Sequence, residues 1–309
     1  MQASHRHGML VVVPTLLPGN EMLNGATRGN APPRTDGMSA GTFAELGDGR
    51  CHFVDEGPRN GRVVLMIHGA TVPAWEFDRL VPHLHAAGLR TVRADLYGHG
   101  RSARPRVAYD HALFVRQLCE LLDLLGLDSG ISLVGHSLGA ALAARLLAAQ
   151  PARFERAALG APLVDYMANL PATRLLTWPV LGECLTAAYV VPMLRRRRRR
   201  HYRVIEDGRF VGLFMEQLRE PGFGRALLSM FREGALGAQH DCYDALAALP
   251  HPLLIMRGCD DVIMTATQLD ELATRLPAAH FVELAGTAHA FPLTHPELAV
   301  PALLDFLRG

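Results

Sequence analysis

Short β-branched or apolar runs alternate with longer stretches that carry apolar residues at helical spacing. The run Val63–Ile67 ends at His68-Gly69, and residues 91–94 form a second strand-like run ending at Asp95. Residues 109–125 read as an amphipathic helix that stops at Gly126. Residues 131–134 are strand-like, 138–149 form an alanine-rich helix closed by Pro151, and 157–159 suit a further strand. The rhythm then breaks for some eighty residues. It resumes with a strand at 253–256, a helix at 267–276, a strand at 280–284 and a last helix at 296–307. Buried strands alternating with helices predict an α/β fold, a mostly parallel sheet covered by helices on both faces. The core is expected over 46–162 and 243–309, with 163–242 inserted as a helical cap. Residues 1–45, rich in Gly, Pro, Asn and Thr, read as a flexible extension.

Composition changes this picture little. The 309 residues, 49% hydrophobic and 20% charged, suffice for one large domain with an insertion. The formal net charge is +1, and no lysine occurs, so all 31 basic residues are arginines. Six of them form one run from Arg195 to Arg200 inside the expected cap; the other 25 face 30 acidic residues. Basic character is therefore local. The run reads as a solvated cap edge with at most weak anionic-surface contact, and acids such as Glu206, Asp207 and Glu216 are candidate partners. No base-reading module accompanies it, so specific nucleic-acid recognition is not expected. Five scattered cysteines without C-x-x-C, and no H-E-x-x-H, argue against a disulfide framework or a zinc site. No apolar run reaches the ~18 residues of a membrane span. Residues 9–17 are apolar but short and broken by Pro14, so a cytoplasmic protein is expected, with export as the alternative. Oligomeric state is not legible.

Chemistry concentrates in GHSLG, residues 135–139, a G-x-S-x-G between a strand and a helix. That context is the nucleophile elbow, in which a strained turn projects a serine hydroxyl from the sheet edge. Ser137 is the candidate nucleophile. The backbone amides of Leu138, next in the chain, and of Ala70, after the strand ending His68-Gly69, are the candidate oxyanion donors. A serine needs a base, and the base an orienting acid. His289 lies after the 280–284 strand, and Asp260 and Asp261 follow the preceding one, which preserves the order Ser, Asp, His.

HGATVPAWEFDRLVPHL, DLYGHGRSARP, VGHSLG, RGCDD and GTAHAFPLTHPE together resemble the serine α/β-hydrolase superfamily from about residue 50 onward. The segment from Met215 through GFGRALLSMFR is similar to cap segments of esterase-like and carbon–carbon-bond hydrolase-like members. The resemblance implies Asp261 as the acid, with Asp260 as the fallback. Ala288 stands where many relatives carry glycine before the histidine. Dehalogenases and many epoxide hydrolases of this fold carry an aspartate nucleophile, and Ser137 disfavours those chemistries. GHGRSA, residues 98–103, formally matches a dinucleotide fingerprint, but Arg104-Pro105 follows where a helix should begin, so it reads as a structural loop. His68 and His99 read as loop supports.

The implied function is a carboxylesterase or small lipase that works through an acyl-enzyme, without metal or organic cofactor, on a small ester with an apolar group. His68, Trp75, His136, Trp178 and Phe214 are candidate pocket residues, with Leu175, Leu176, Leu181, Met193, Phe210 and Leu213 as further cap lining. A thioester, lactone or carbon–carbon-bond hydrolase on the same triad, and a non-catalytic binding module with this fold, remain the alternatives.

Overall fold

The computed structural model describes residues 10–13, 41–201, 205 and 208–309, with the backbone path alone for 10–13 and 197–201. Among the described residues nine strands form one sheet: β1 (Leu10–Val13), β2 (Thr42–Leu46), β3 (Gly49–Glu56), β4 (Val63–Ile67), β5 (Arg90–Ala94), β6 (Ile131–His136), β7 (Phe154–Gly160), β8 (Leu253–Gly258) and β9 (His280–Leu284). Their spatial order is β1-β9-β8-β7-β6-β4-β5-β3-β2. Every pair from β1 to β5 is parallel, and β3 pairs antiparallel with both β5 and β2. Central strands β6 and β8 are buried at every position, so their apolar runs lack the two-residue alternation of a half-exposed strand.

Twelve α-helices complete the described chain: α1 (Val81–Ala86), α2 (His111–Leu124), α3 (Leu138–Ala149), α4 (Tyr166–Asn169), α5 (Leu181–Leu185), α6 (Val191–His201), α7 (Arg209–Arg219), α8 (Phe223–Arg232), α9 (His240–Ala247), α10 (Ala266–Arg275), α11 (Phe291–Thr294) and α12 (Pro296–Arg308). The Asp110 carboxylate caps α2 by accepting the Leu113 amide at 2.8 Å. Thr265 and Gln268 form a reciprocal capping box on α10. Alanine-rich α3 is buried almost throughout and packs on β4, β6, β7 and α9.

Helices α4 to α9 lie between β7 and β8, and α4 to α8 make up the inserted helical segment, the cap. They are bound to the core by polar as well as apolar contacts. Asp78 joins Arg209 of α7 to Arg93, whose side chain is almost completely buried and also meets Glu56 at 2.7 Å. Gln217 of α7 accepts the Gly100 amide at 2.9 Å. Trp75 packs against Phe210 of α7, with ring centroids 5.8 Å apart.

Two sequence expectations need correction here. The span 1–45 holds β1, which extends the sheet parallel to β9, and most of β2. Edge pairing, which a polar flanking composition hides, supplies the order. The hairpin β2–β3 also escaped the reading: GRCHFVDE mixes polar and apolar residues, because β3 is buried mainly at its centre. Residues 1–9 and 14–40, the side chains of Arg197–Arg200, and the proposed partners Glu206 and Asp207 lie outside the described residues. Arg195 and Arg196 are exposed on α6. No helix among the described residues is long and apolar enough to cross a membrane.

Candidate active site

Ser137 ends β6 and begins α3 with φ 55° and ψ −116°. A non-glycine residue there stores about 1–3 kcal/mol of backbone strain, and the surroundings must hold it. Its amide donates to the Gly160 carbonyl at 2.9 Å, and its carbonyl accepts the Leu163 amide at 3.2 Å. The flanking glycines answer a steric demand. A Cβ on Gly139 would lie 1.9 Å from the Ile67 carbonyl oxygen, and one on Gly135 would lie 2.3 Å from that of Gly139. Only glycine lets the elbow sit this close to β4.

The ends of β8 and β9 are stitched together by two backbone bonds, from the Cys259 amide to the Leu284 carbonyl and from the Asp260 amide to the Thr287 carbonyl. This brings the Asp261 carboxylate 2.8 Å from Nδ1 of His289. Its other oxygen accepts the Ile263 and Met264 amides at 2.8 and 3.1 Å. Burial opposes ionisation of Asp261, but the His289 ring and these amides outweigh it, leaving its pKa below the ordinary carboxylate value. Asp260, the fallback acid, points to solvent. Arg257, buried beneath this turn, donates to the Met264 carbonyl and pairs with Glu283.

The Ala70 amide belongs to a loop whose peptides are fixed by buried side chains. The Gly69 amide donates to Glu76 at 2.9 Å, and the Ala70 carbonyl meets His99 Nε2 at 2.8 Å. Between them lies the peptide that carries the Ala70 amide; its carbonyl, on Gly69, meets His68 Nδ1 at 2.7 Å. The tautomer follows, because His68 Nε2 accepts the Leu96 amide, so Nδ1 carries the proton. Burial lowers the pKa of both rings, His99 to about 4, and keeps them neutral. Leu138 turns its side chain into the core, and its amide stands in the first turn of α3, where no helical carbonyl is available to it.

Glu76 was not anticipated. It is buried, and its second oxygen lies 3.0 Å from Nδ1 of His136, an ion-pair distance off the ideal hydrogen-bond line. His136 Nε2 in turn donates to the His289 carbonyl at 2.7 Å. Burial works against both charges. Their mutual attraction prevails, so Glu76 titrates below and His136 above the ordinary values. One buried ion pair thus joins the Ala70 loop, the elbow and the His289 loop. The legible signal was an acid inside the apolar stretch PAWEF.

Ser137, His289, Ala70, Glu76 and His136 all face one cavity of about 120 Å³ between sheet and cap. Its apolar wall includes Val190, Met193 and Leu194 from the cap and Leu227 and Phe231 of α8. Of the five candidate pocket residues only His136 lines it, and of the further cap residues only Met193 does. Trp178 stands 59% exposed, and Leu175 and Leu181 also face outward. Phe214, Phe210, Leu213 and Leu176 are buried in packing, Trp75 supports the cap through Phe210, and His68 holds the Ala70 loop. Helical periodicity marks an apolar face without saying whether it meets core, cavity or solvent. The loop at residues 98–103 closes on itself, the Gly98 amide meeting the Ala103 carbonyl, and it wraps Asp95, which accepts the Arg101 amide.

A strand-elbow-helix on a mostly parallel sheet, with an acid after β8 and a histidine after β9, defines an α/β-hydrolase. Residues 64–302 match the model of the alpha/beta hydrolase family, and the chain belongs to that family. It is similar to a non-heme chloroperoxidase of Streptomyces lividans, 27% identical over 273 residues, covering 83% of this chain and 95% of that protein. A haloalkane dehalogenase of Psychrobacter cryohalolentis is 38% identical over 113 residues, 36% of this chain and 37% of that protein. Among solved structures, a bromoperoxidase from Bacillus anthracis shares the fold, with TM-score 0.74 and 19% identity over 87% of this chain and 100% of that one. The chain is a hydrolase.

Proposed function

We propose that the protein is a serine hydrolase that cleaves carboxylic esters of short apolar acids through an acyl-enzyme. One observation carries this reading: Ser137 at a left-handed elbow shares a cavity with His289, whose Nδ1 is bonded to a buried, ionised Asp261. Asp261 accepts the hydrogen bond from the protonated Nδ1, so the unprotonated Nε2 is the nitrogen that acts as base. Ser137 Oγ attacks the ester carbonyl as its proton passes to His289. The amides of Leu138 and Ala70 receive the developing oxyanion, with no reorganisation of the anchored loop. The imidazolium protonates the departing alkoxide. Water, deprotonated by the same ring, then releases the acid and restores Ser137.

The cavity sets the scale. A site of about 150 Å³ takes a benzene, so about 120 Å³ with an apolar wall suits an acyl group of roughly four to six carbons. The test is turnover of p-nitrophenyl esters of increasing acyl length, beside thioesters, lactones and a peroxide-plus-bromide assay. An optimum at short acyl chains supports the reading. Bromination without ester turnover, or preference for a thioester or lactone, refutes it.

A further inference from the structure

Nine large apolar side chains are exposed among the described residues, and six lie within twenty residues of the cap: Leu170, Leu175, Trp178, Val180, Leu181 and Tyr189. Val180 is 74% exposed and holds φ 66°, a region that β-branched residues avoid. It stands at the N-terminus of α5, where its carbonyl accepts the Cys184 amide at 3.0 Å. From Leu181 the helical backbone continues without a break to His201, through a π turn at Thr186–Val190. Its outward residues pass from Leu181 and Tyr189 to Arg195 and Arg196, while Val190, Met193 and Leu194 line the cavity. The sequence from 166 to 205 holds eight arginines and a single acid, Glu183. Arg232 already engages that acid at 2.6 and 2.8 Å.

We propose that this face of the cap docks on an anionic phospholipid bilayer. Trp178 and Tyr189 sit at headgroup depth, the aliphatic residues enter the acyl boundary, and the arginines meet lipid phosphates. The charge decides against other occupants. A second copy across a two-fold axis would set arginine against arginine, and a nucleic acid would leave the aliphatic residues without a role. Docking would hold the cavity-lining helix at the surface from which apolar esters partition. It does not depend on the hydrolytic mechanism.

The test uses Ser137→Ala protein, so that turnover plays no part, with vesicles of phosphatidylcholine containing about 25 mol % phosphatidylglycerol and vesicles of phosphatidylcholine alone. The chain has two tryptophans, and Trp75 is buried, so a blue shift on binding reports Trp178. We expect co-sedimentation and a blue shift with the anionic vesicles, both weakened by added salt. The pair Arg195→Gln and Arg196→Gln should weaken binding by on the order of tenfold at unchanged Tm. Trp178→Ala with Tyr189→Ala should weaken it comparably. Equal binding to neutral vesicles, full affinity in the arginine variant, or a dimer broken by Trp178→Ala in place of vesicle binding would overturn the proposal.

Discussion

Replacing Glu76 with glutamine isolates the buried pair behind the Ala70 and His289 loops. Glutamine keeps an oxygen for the Gly69 amide but removes the charge facing His136, whose other neighbours are His68, His289 and Asp261. Breaking a buried ion pair costs about 3–5 kcal/mol. His136 can shed its proton in the variant, so the lower end, about 3 kcal/mol, applies. At about 2–4 °C per kcal/mol for a large domain, Tm falls by about 6–12 °C. The pH dependence is the sharper readout. The folded pKa of His136 lies above 6.5, so its stabilisation is complete below that value and drains as pH rises through the folded value. Glu76 titrates below its ordinary value when folded, so its share is present above that value and is lost only as pH falls through the depressed one. Wild-type Tm should therefore decline from neutral toward alkaline pH, and Glu76→Gln should flatten that limb. Displacement of the Ala70 and His289 loops by as much as 1 Å would lower kcat by about a hundredfold. Thermal scans from neutral to alkaline pH, paired with hydrolysis of p-nitrophenyl butyrate, read both effects. Parallel Tm–pH curves in the two proteins would refute the ion-pair account.

Asp261→Asn should lower kcat by about 10⁴-fold, the loss expected when the histidine takes the wrong tautomer. Asp260→Asn should change it little, since that side chain faces solvent; stopped-flow turnover of both variants ranks them. Met193→Ala should widen the cap wall and move the acyl-length optimum upward by about three carbons, the span of the Cγ, Sδ and Cε atoms removed. An unchanged optimum would detach Met193 from the acyl site.

How much could be read beforehand follows from how local each constraint is. The elbow was legible because three residues must satisfy steric demands at fixed spacing: Gly135 and Gly139 by close approach, Ser137 by its φ. Strands β4, β6 and β8 were legible because burial on both faces favours continuous apolar runs, and β5, β7 and β9 through the shorter apolar segments at their buried positions. Choosing between Asp260 and Asp261 took resemblance, since adjacent residues on a turn differ only in direction. Glu76 was hidden because its meaning depends on His136, sixty residues away in the chain and adjacent in space. The cavity wall was misread for a related reason: Phe214 and Met193 are equally apolar, and only packing decides that one is buried and the other faces the site.

The central claim is that Ser137 is the nucleophile. Intact-mass and peptide analysis after reaction with a fluorophosphonate probe measures it directly. The account expects one adduct per chain, on Ser137, lost in Ser137→Ala and strongly slowed in His289→Ala. An adduct on another residue, or labelling that survives Ser137→Ala, would contradict it.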